Sequence, residues 1–190
     1  MRLRREIVSG MALLFGALVA FPVVGQDAWE DQGKELLGKP APDFVLRGTT
    51  GKEWKLSELK GKKAVLLDFG STCRMCQETV KDLEVIHQAY RQRGLQVLTV
   101  CGNAPDMDFL REFVAAMKLT YPVLWDSEYK AAEAYKFDAI PFTVLIDREG
   151  VVRWVHTGHP DNYRTLVREQ LETLLPPAAP DEEKAEEAPK

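Results

Sequence analysis

Two cysteines, Cys73 and Cys76, stand where an apolar run gives way to an amphipathic segment. Residues 64–69 are almost all apolar, as is typical of a central strand covered on both faces. After Cys73, apolar residues recur at helical spacing and predict a helix to about Arg93. The predicted buried stripe comprises Val80, Leu83, Ile86 or His87, and Tyr90. A strand that runs directly into a helix favours an α/β fold.

The helix start is a favourable place for a reactive thiol pair. Helix N-termini carry partial positive charge and unpaired N–H groups, which stabilise a thiolate. Two thiols three residues apart on a first turn can close into a redox-active disulfide, Cys73–Cys76, and reopen. We expect the more exposed Cys73 to attack and the more buried Cys76 to resolve the mixed disulfide.

Zinc is the alternative, because CxxC pairs are common in zinc sites. It would need two further ligands from Cys101 and the three histidines, and the chain has no second CxxC. The spacing therefore favours redox chemistry, and we predict neither a metal nor another cofactor.

The two residues between the cysteines leave interpretations open. The charge of Arg74 either stabilises the Cys73 thiolate, which would make the couple more oxidising, or is simply solvated. Met75 is expected to be exposed, either to contact an apolar substrate surface or without a role. Cys101 is either a small buried residue or a third thiol near the pair.

Both ends of the chain differ in composition from its centre. Residues 1–25 hold three arginines and one glutamate followed by an apolar stretch, which predicts a signal peptide or an uncleaved membrane anchor. Residues 26–37 read as a polar linker. Residues 176–190, with five acids against two lysines, predict a disordered acidic tail. We therefore expect an exported, periplasmic or otherwise extracytoplasmic protein that touches the membrane only through its N-terminal segment.

Composition limits the remaining function classes. The net charge is −4 and no basic stretch is interleaved with aromatics, which argues against nucleic acid as a partner. Three cysteines are too few for a disulfide scaffold. In an exported chain they therefore indicate a chemical role more than structural disulfide bonds. Residues 38–175 suffice for one domain with its own core.

The predicted strands and helices alternate, and two strands joined by a hairpin turn precede the last helix. Strands separated by helices imply parallel neighbours, while a hairpin adds an antiparallel edge. This order, the strand–CxxC–helix unit and the later Ile140-Pro141-Phe142-Thr143 resemble the thioredoxin fold. The resemblance implies a central mixed β-sheet flanked by helices, with an N-terminal β-hairpin extension.

Segments 38–44 and 51–62 are more specific and resemble exported thiol–disulfide oxidoreductases of the TlpA/ResA type. The resemblance implies that Cys73 attacks a protein disulfide, such as one in apocytochrome c, and that a membrane thiol donor later re-reduces the pair. A copper-binding chaperone of the same fold is the alternative, although such proteins typically use CxxxC and a histidine near the place of Pro141. A peroxidase is disfavoured by the spacing of Ser71-Thr72-Cys73.

The resemblance also implies roles for single residues. Pro141 corresponds to a cis-proline that faces the cysteines, and Ile140 would then offer its backbone to an extended substrate. His159, after the last strand, would lie near the pair and tune a thiol, bind copper, or sit in a surface loop. Asp68 stands five positions before Cys73 where an acid six positions before is typical. A one-residue shift along a strand turns a side chain to the other face, so its role as a buried proton acceptor stays open.

Three departures from the family pattern surround the cysteines. Thr72 replaces the usual tryptophan, Arg74-Met75 lacks the usual proline, and Thr79 stands where many members have glutamate. These departures bear on substrate and on the direction of the reaction more than on the fold.

Overall fold

The computed structural model describes residues 32–70 and 72–177. In chain order their strands and helices are β1 Val45–Gly48, β2 Glu53–Lys55, β3 Ala64–Gly70, α1 Arg74–Tyr90, β4 Leu95–Cys101, α2 Met107–Met117, β5 Val123–Trp125, α3 Lys130–Tyr135, β6 Phe142–Ile146, β7 Val152–Thr157 and α4 Tyr163–Leu174. Two short 3-10 turns, Lys34–Leu36 and Leu56–Leu59, flank the first hairpin. The predicted mixed α/β architecture is confirmed.

The strands form one mixed sheet in the order β2-β1-β5-β4-β3-β6-β7. The three inner strands β3, β4 and β5 run parallel, and β6 lies antiparallel to β3. The β6–β7 hairpin closes one edge, while the β1–β2 hairpin extends the other edge through antiparallel pairing with β5. The expected N-terminal hairpin extension is therefore present.

Strand β3 lies inside the sheet between β4 and β6, and all seven of its residues are buried. Ala64 and Leu66 belong to a core cluster shared with α1 and α4, whereas Val65 and Leu67 belong to a cluster shared with α3. Because helices cover both faces of the sheet, a continuous apolar run is favourable in this strand.

Helix α1 is fixed by its apolar stripe and by its contact with α4. Ile86 rather than His87 occupies the buried place in the predicted stripe. Near the end of α1, Tyr90 Oη donates to Glu172 Oε1 over 2.7 Å, and Arg93 binds the same carboxylate through two nitrogens. These contacts join the C-terminal end of α1 to α4.

Part of the predicted linker is instead packed against the domain. Leu36 is buried, and Gly33 lies against the ring of Phe142, where a Cβ would not fit. The side chain of Gln32 accepts hydrogen bonds from the N–H groups of Asp138 and Ala139, at 2.9 and 3.0 Å. Among residues 32–37, Leu36 is the one large apolar side chain that faces the core, which is too weak a pattern to be recognised from composition.

The predicted leader, residues 1–25, and most of the predicted tail, from residue 178 on, lie outside the described residues. Within residues 32–70 and 72–177, no helix is long and apolar enough to cross a membrane.

Candidate active site

A disulfide joins Cys73 and Cys76 at the start of α1. Cys73 is the N-cap residue, and its Sγ accepts a hydrogen bond from the backbone N–H of Cys76 over 3.1 Å. Cys73 is exposed, whereas Cys76 is completely buried. Only one of the two sulfur atoms can therefore be approached by a large molecule.

The first turn of α1 is electrostatically favourable for a thiolate. It contains no acidic residue, and the exposed Arg74 begins it. The loop before it is held by Gln77, whose Nε2 donates to the carbonyl of Thr72 over 2.8 Å. Met75 is 48% exposed, as expected, and Thr79 is buried with its hydroxyl donating to the carbonyl of Met75. The helix dipole thus acts on Cys73 without an opposing charge in the turn.

Asp68 lies on the α1 face of the sheet, below the cysteines, and is completely buried. A Cβ on Gly70 would lie 3.0 Å from Asp68 Oδ2 and 3.9 Å from Cys76 Cβ, so the carboxyl lies within about 7 Å of Cys76. Strand β3 pairs without a bulge up to Gly70. The one-residue difference from the typical spacing between the acid and the first cysteine therefore lies in the loop after β3. The side chain of Asp68 stays on the face of the sheet that α1 covers.

Burial raises the pKa of Asp68 from its ordinary value of 3.8 to about 7. The hydroxyl groups of Thr99 and Thr143 oppose this rise. Thr99 Oγ1 lies 3.4 Å from Asp68 Oδ2. A carboxyl with a pKa near neutrality can both accept and release a proton under ordinary conditions.

The peptide bond between Ile140 and Pro141 is cis, as predicted. Because β6 pairs with β3 and Phe142 lies opposite Phe69, the preceding Pro141 lies beside the end of β3, from which the chain leads to Cys73. The carbonyl of Pro141 accepts a hydrogen bond from Gly158 N over 2.8 Å, and Ile140 is 38% exposed. The structure thus brings Ile140 and Pro141 to the cysteine end of the sheet.

His159 borders a surface groove of about 470 Å³ that Met75 also lines. Its Nε2 lies 3.0 Å from Asp82 Oδ2, and Arg164 binds the other oxygen of the same carboxylate over 2.8 Å. The ring of Tyr163 packs beside it at 4.8 Å between centroids. His159 is thus near the site, with one ring nitrogen engaged by α1.

Cys101 is buried at the end of β4, beside Gly70 in the β3–β4 register. Its Sγ donates to Asn103 Oδ1 over 3.3 Å, and burial raises the pKa of its thiol. In the part of the chain that the structure describes, no group of three or more His, Cys, Asp or Glu side chains could hold a metal ion.

Sequence reasoning missed the groups that surround Asp68. Thr99 and Thr143 are polar residues inside the otherwise apolar strands β4 and β6, and that contrast is the signal that marks them. Neither was assigned a role because their proximity to Asp68 depends on strand register.

The fold and this site together define a thiol–disulfide oxidoreductase of the thioredoxin-like class. The sequence profile described as the AhpC/TSA family matches residues 37–155, which is more than half of the 190 residues. The chain therefore belongs to the AhpC/TSA family.

Relatives and solved structures agree with this assignment. The chain is 30% identical over 148 residues to the thiol-disulfide oxidoreductase ResA of Halalkalibacterium halodurans, covering 78% of this chain and 82% of the relative. It is 27% identical over 176 residues to ResA of Geobacillus kaustophilus, covering 92% and 97%. A Chlorobium tepidum structure assigned as thiol:disulfide interchange protein DsbE superposes with a TM-score of 0.67 at 29% identity, covering 72% of this chain and 96% of that one.

Proposed function

We propose that this oxidoreductase reduces disulfide bonds of client polypeptides outside the cytoplasm, with Cys73 as nucleophile and Cys76 as resolving thiol. The observation that carries the proposal is the contrast between an exposed Cys73 and a fully buried Cys76 joined in one disulfide. A client reaches the first sulfur and cannot reach the second, which fixes the order of the two attacks.

The reaction transfers two electrons from the cysteine pair to the client. The Cys73 thiolate attacks one sulfur of the client disulfide, that S–S bond breaks, and the departing client thiolate takes up a proton. Cys76 then loses its proton to the Asp68 carboxylate and attacks Cys73 Sγ. The mixed disulfide breaks, the second client thiolate is released and protonated, and the pair is left as the Cys73–Cys76 disulfide seen in the structure.

Two features support Cys73 as the attacking group. The N–H of Cys76 points at its sulfur over 3.1 Å, and the dipole of a 17-residue helix is directed at it. The adjacent Arg74 is exposed, so solvent screens its charge and its contribution is the smaller one. A thiolate at this position is stabilised before any client arrives.

Asp68 is the proton acceptor for Cys76 in this proposal. A carboxylate without a positive partner is costly to bury, so packing alone would favour an apolar residue in this strand. Its pKa of about 7 is suited to a general base at neutral pH. The helix position where many family members have an acid is occupied here by the buried Thr79, which leaves the strand as the source of the carboxyl.

Exposed apolar groups near the cysteines would contact the client. Met75 follows Cys73 closely on α1, and Ile140 precedes the cis-proline on the adjacent strand end. Within the described residues neither backbone group of Ile140 makes a hydrogen bond, so both are available to an extended chain. Thr72 and His159 border the same region and would contribute to client selection.

The names of the relatives support thiol–disulfide exchange. The resemblance to TlpA/ResA-type proteins supports a client such as apocytochrome c and a membrane thiol donor that re-reduces the pair. The composition of residues 1–25 supports export, with the segment either cleaved or kept as an anchor.

Insulin reduction with dithiothreitol tests the chemistry. We expect Cys73→Ser to lose activity, Cys76→Ser to accumulate a one-to-one mixed disulfide, and Cys101→Ser to behave as wild type because its thiol is buried. Reduction that survives Cys73→Ser would refute the mechanism. Trapping with Cys76→Ser tests the client: a failure to capture apocytochrome c while other exported proteins are captured would exclude it.

A further inference from the structure

Asp68 is the centre of a polar row that crosses the sheet. The β3–β4 register places Thr99 on one side of it, and the β3–β6 register places Thr143 on the other. Asp68 and Thr143 are fully buried, and Thr99 is 3% exposed. Three polar side chains side by side in three apolar strands are unusual, because each must find a partner away from water.

A tyrosine lies behind each threonine. Tyr121 Oη lies 3.3 Å from Thr99 Oγ1 and donates to the carbonyl of Val80 over 3.4 Å. Tyr163 Oη lies 2.8 Å from Thr143 Oγ1. Burial raises the pKa of both tyrosines, so both stay neutral in the physiological range.

The titratable groups that face Asp68 come from several elements. They are Cys76 from α1, Cys101 from β4, Tyr121 from the loop before β5, and Tyr163 from α4. None of these groups is a cation. The ionised carboxylate is therefore stabilised by hydroxyl dipoles and not by a salt bridge.

A threonine hydroxyl has one proton to donate and two lone pairs that accept, so it can serve either protonation state of a carboxyl. When Asp68 is ionised, Tyr163 donates to Thr143, and Thr143 has its proton free for the carboxylate. When Asp68 is protonated, the acid donates and the Thr143 proton turns towards Tyr163. In the structure, Thr143 Oγ1 lies 2.8 Å from Tyr163 Oη and either hydroxyl can be the donor, so this contact is compatible with both arrangements. Among the described residues Asp68 Oδ1 has no hydrogen-bond partner, so it is the carboxyl oxygen with unused capacity to accept or donate.

We propose that Thr99 and Thr143, the second oriented by Tyr163, are positioning residues that set the proton affinity of Asp68 and so the pH at which Cys76 is activated. This inference rests on the proposed role of Asp68 as proton acceptor. Without the two hydroxyl donors, the buried carboxyl would remain protonated through neutral pH and could accept nothing.

The direct test is a titration of the Asp68 carboxyl carbon by ¹³C NMR in the oxidised protein, where the disulfide sulfurs do not titrate. We expect Thr99→Val and Thr143→Val each to raise the midpoint by about one pH unit, because each removes a donor to the charged form. Thr143→Ser should restore the wild-type midpoint. Tyr163→Phe, which leaves the threonine in place, should shift it less in the same direction.

Unchanged midpoints in both valine variants would overturn the inference. So would a serine variant that titrates like the valine variant, since packing and not the hydroxyl would then be responsible. If a valine variant fails to fold, Thr143→Ser and Tyr163→Phe provide the test. Equal Asp68 midpoints in wild type and Tyr163→Phe would contradict the role of Tyr163 in orienting Thr143.

A kinetic experiment separates this inference from the proposed function. We expect the rising limb of the pH profile for single-turnover disulfide reduction to move upward in Thr143→Val, with a loss of about fivefold at pH 7 that disappears above about pH 9. If Asp68→Asn instead keeps the wild-type profile, the role of Asp68 as acceptor fails. The carboxyl titration would still decide whether the threonines set its proton affinity.

Discussion

Replacing Asp68 by asparagine should stabilise the protein, and increasingly so as pH rises. The amide has nearly the same shape as the carboxyl and cannot ionise. In wild type the ionised carboxylate is buried, with no cation beside it among the described residues, so its formation opposes folding. Removing the charge removes that cost and, by the proposed mechanism, also removes the proton acceptor.

The size of the effect follows from the pKa of Asp68. Burial raises it from 3.8 to about 7, and each unit corresponds to about 1.36 kcal/mol. Full ionisation therefore lowers the free energy of unfolding by about 4 kcal/mol. The folded state binds this proton more tightly than the unfolded state. The contribution of the protonated Asp68 to the free energy of unfolding is therefore fully present below about pH 4 and is lost as pH rises to about 7. About 2–3 kcal/mol of the loss falls between pH 5 and pH 8.

Urea unfolding of the oxidised proteins at pH 5 and pH 8 measures this difference. We expect the advantage of Asp68→Asn over wild type to grow by about 2–3 kcal/mol between the two pH values. Asp106→Asn is the matched control, because Asp106 is exposed and caps α2 through a bond to Phe109 N that asparagine also makes. That variant should keep the wild-type pH dependence. An Asp68→Asn protein that loses stability with pH as wild type does would refute the reasoning, because the carboxyl would then not be ionising at a buried position.

Two further substitutions test the packing around the site. Gly33→Ala should cost about 1–3 kcal/mol more in urea unfolding than Gly38→Ala, because both glycines have positive φ but only the first would press a methyl group into Phe142; equal costs would mean that the ring simply moves aside. Glu172→Gln should cost about 0.5–1 kcal/mol at pH 7, since Arg93 hydrogen bonds lower the pKa of Glu172 to about 2 on a side chain that is half exposed. This stabilisation is present above the ordinary carboxyl pKa and is lost as pH falls to about 2, so a difference that persists at pH 2 would contradict its electrostatic origin.

The strands and α1 could be predicted closely because their patterns are long and strongly apolar. β3 begins at the predicted residue and extends one residue further than predicted. Short amphipathic elements were less predictable. In α2 the adjacent Phe109 and Leu110 are both apolar, yet Phe109 is 38% exposed and Leu110 is buried, because the orientation of this short helix depends on its neighbours.

In the site, sequence spacing was enough to find the cysteine pair and Pro141. It left the role of Asp68 open. The number of residues between Asp68 and Cys73 does not show whether the one-residue difference from the typical spacing lies in the strand or in the loop that follows it. Thr99 and Thr143 could not be grouped with Asp68, since residues so far apart in sequence become neighbours only through strand register. The folded sheet supplies that register, and with it the environment that decides the proton affinity of the acid.

The hydrogen bonds made by Gln32 affect the choice of the first residue of a truncated form of this domain. Its side chain accepts from two consecutive N–H groups just before Ile140, so the stretch upstream of Gly38 braces the loop that would receive the client. A recombinant protein begun at Gly38 would keep both cysteines and Asp68 but leave those two N–H groups without their acceptor. We expect such a shortened domain to retain its redox potential and to lose selectivity, so comparing the clients trapped by the two proteins would test whether this N-terminal stretch contributes to substrate recognition.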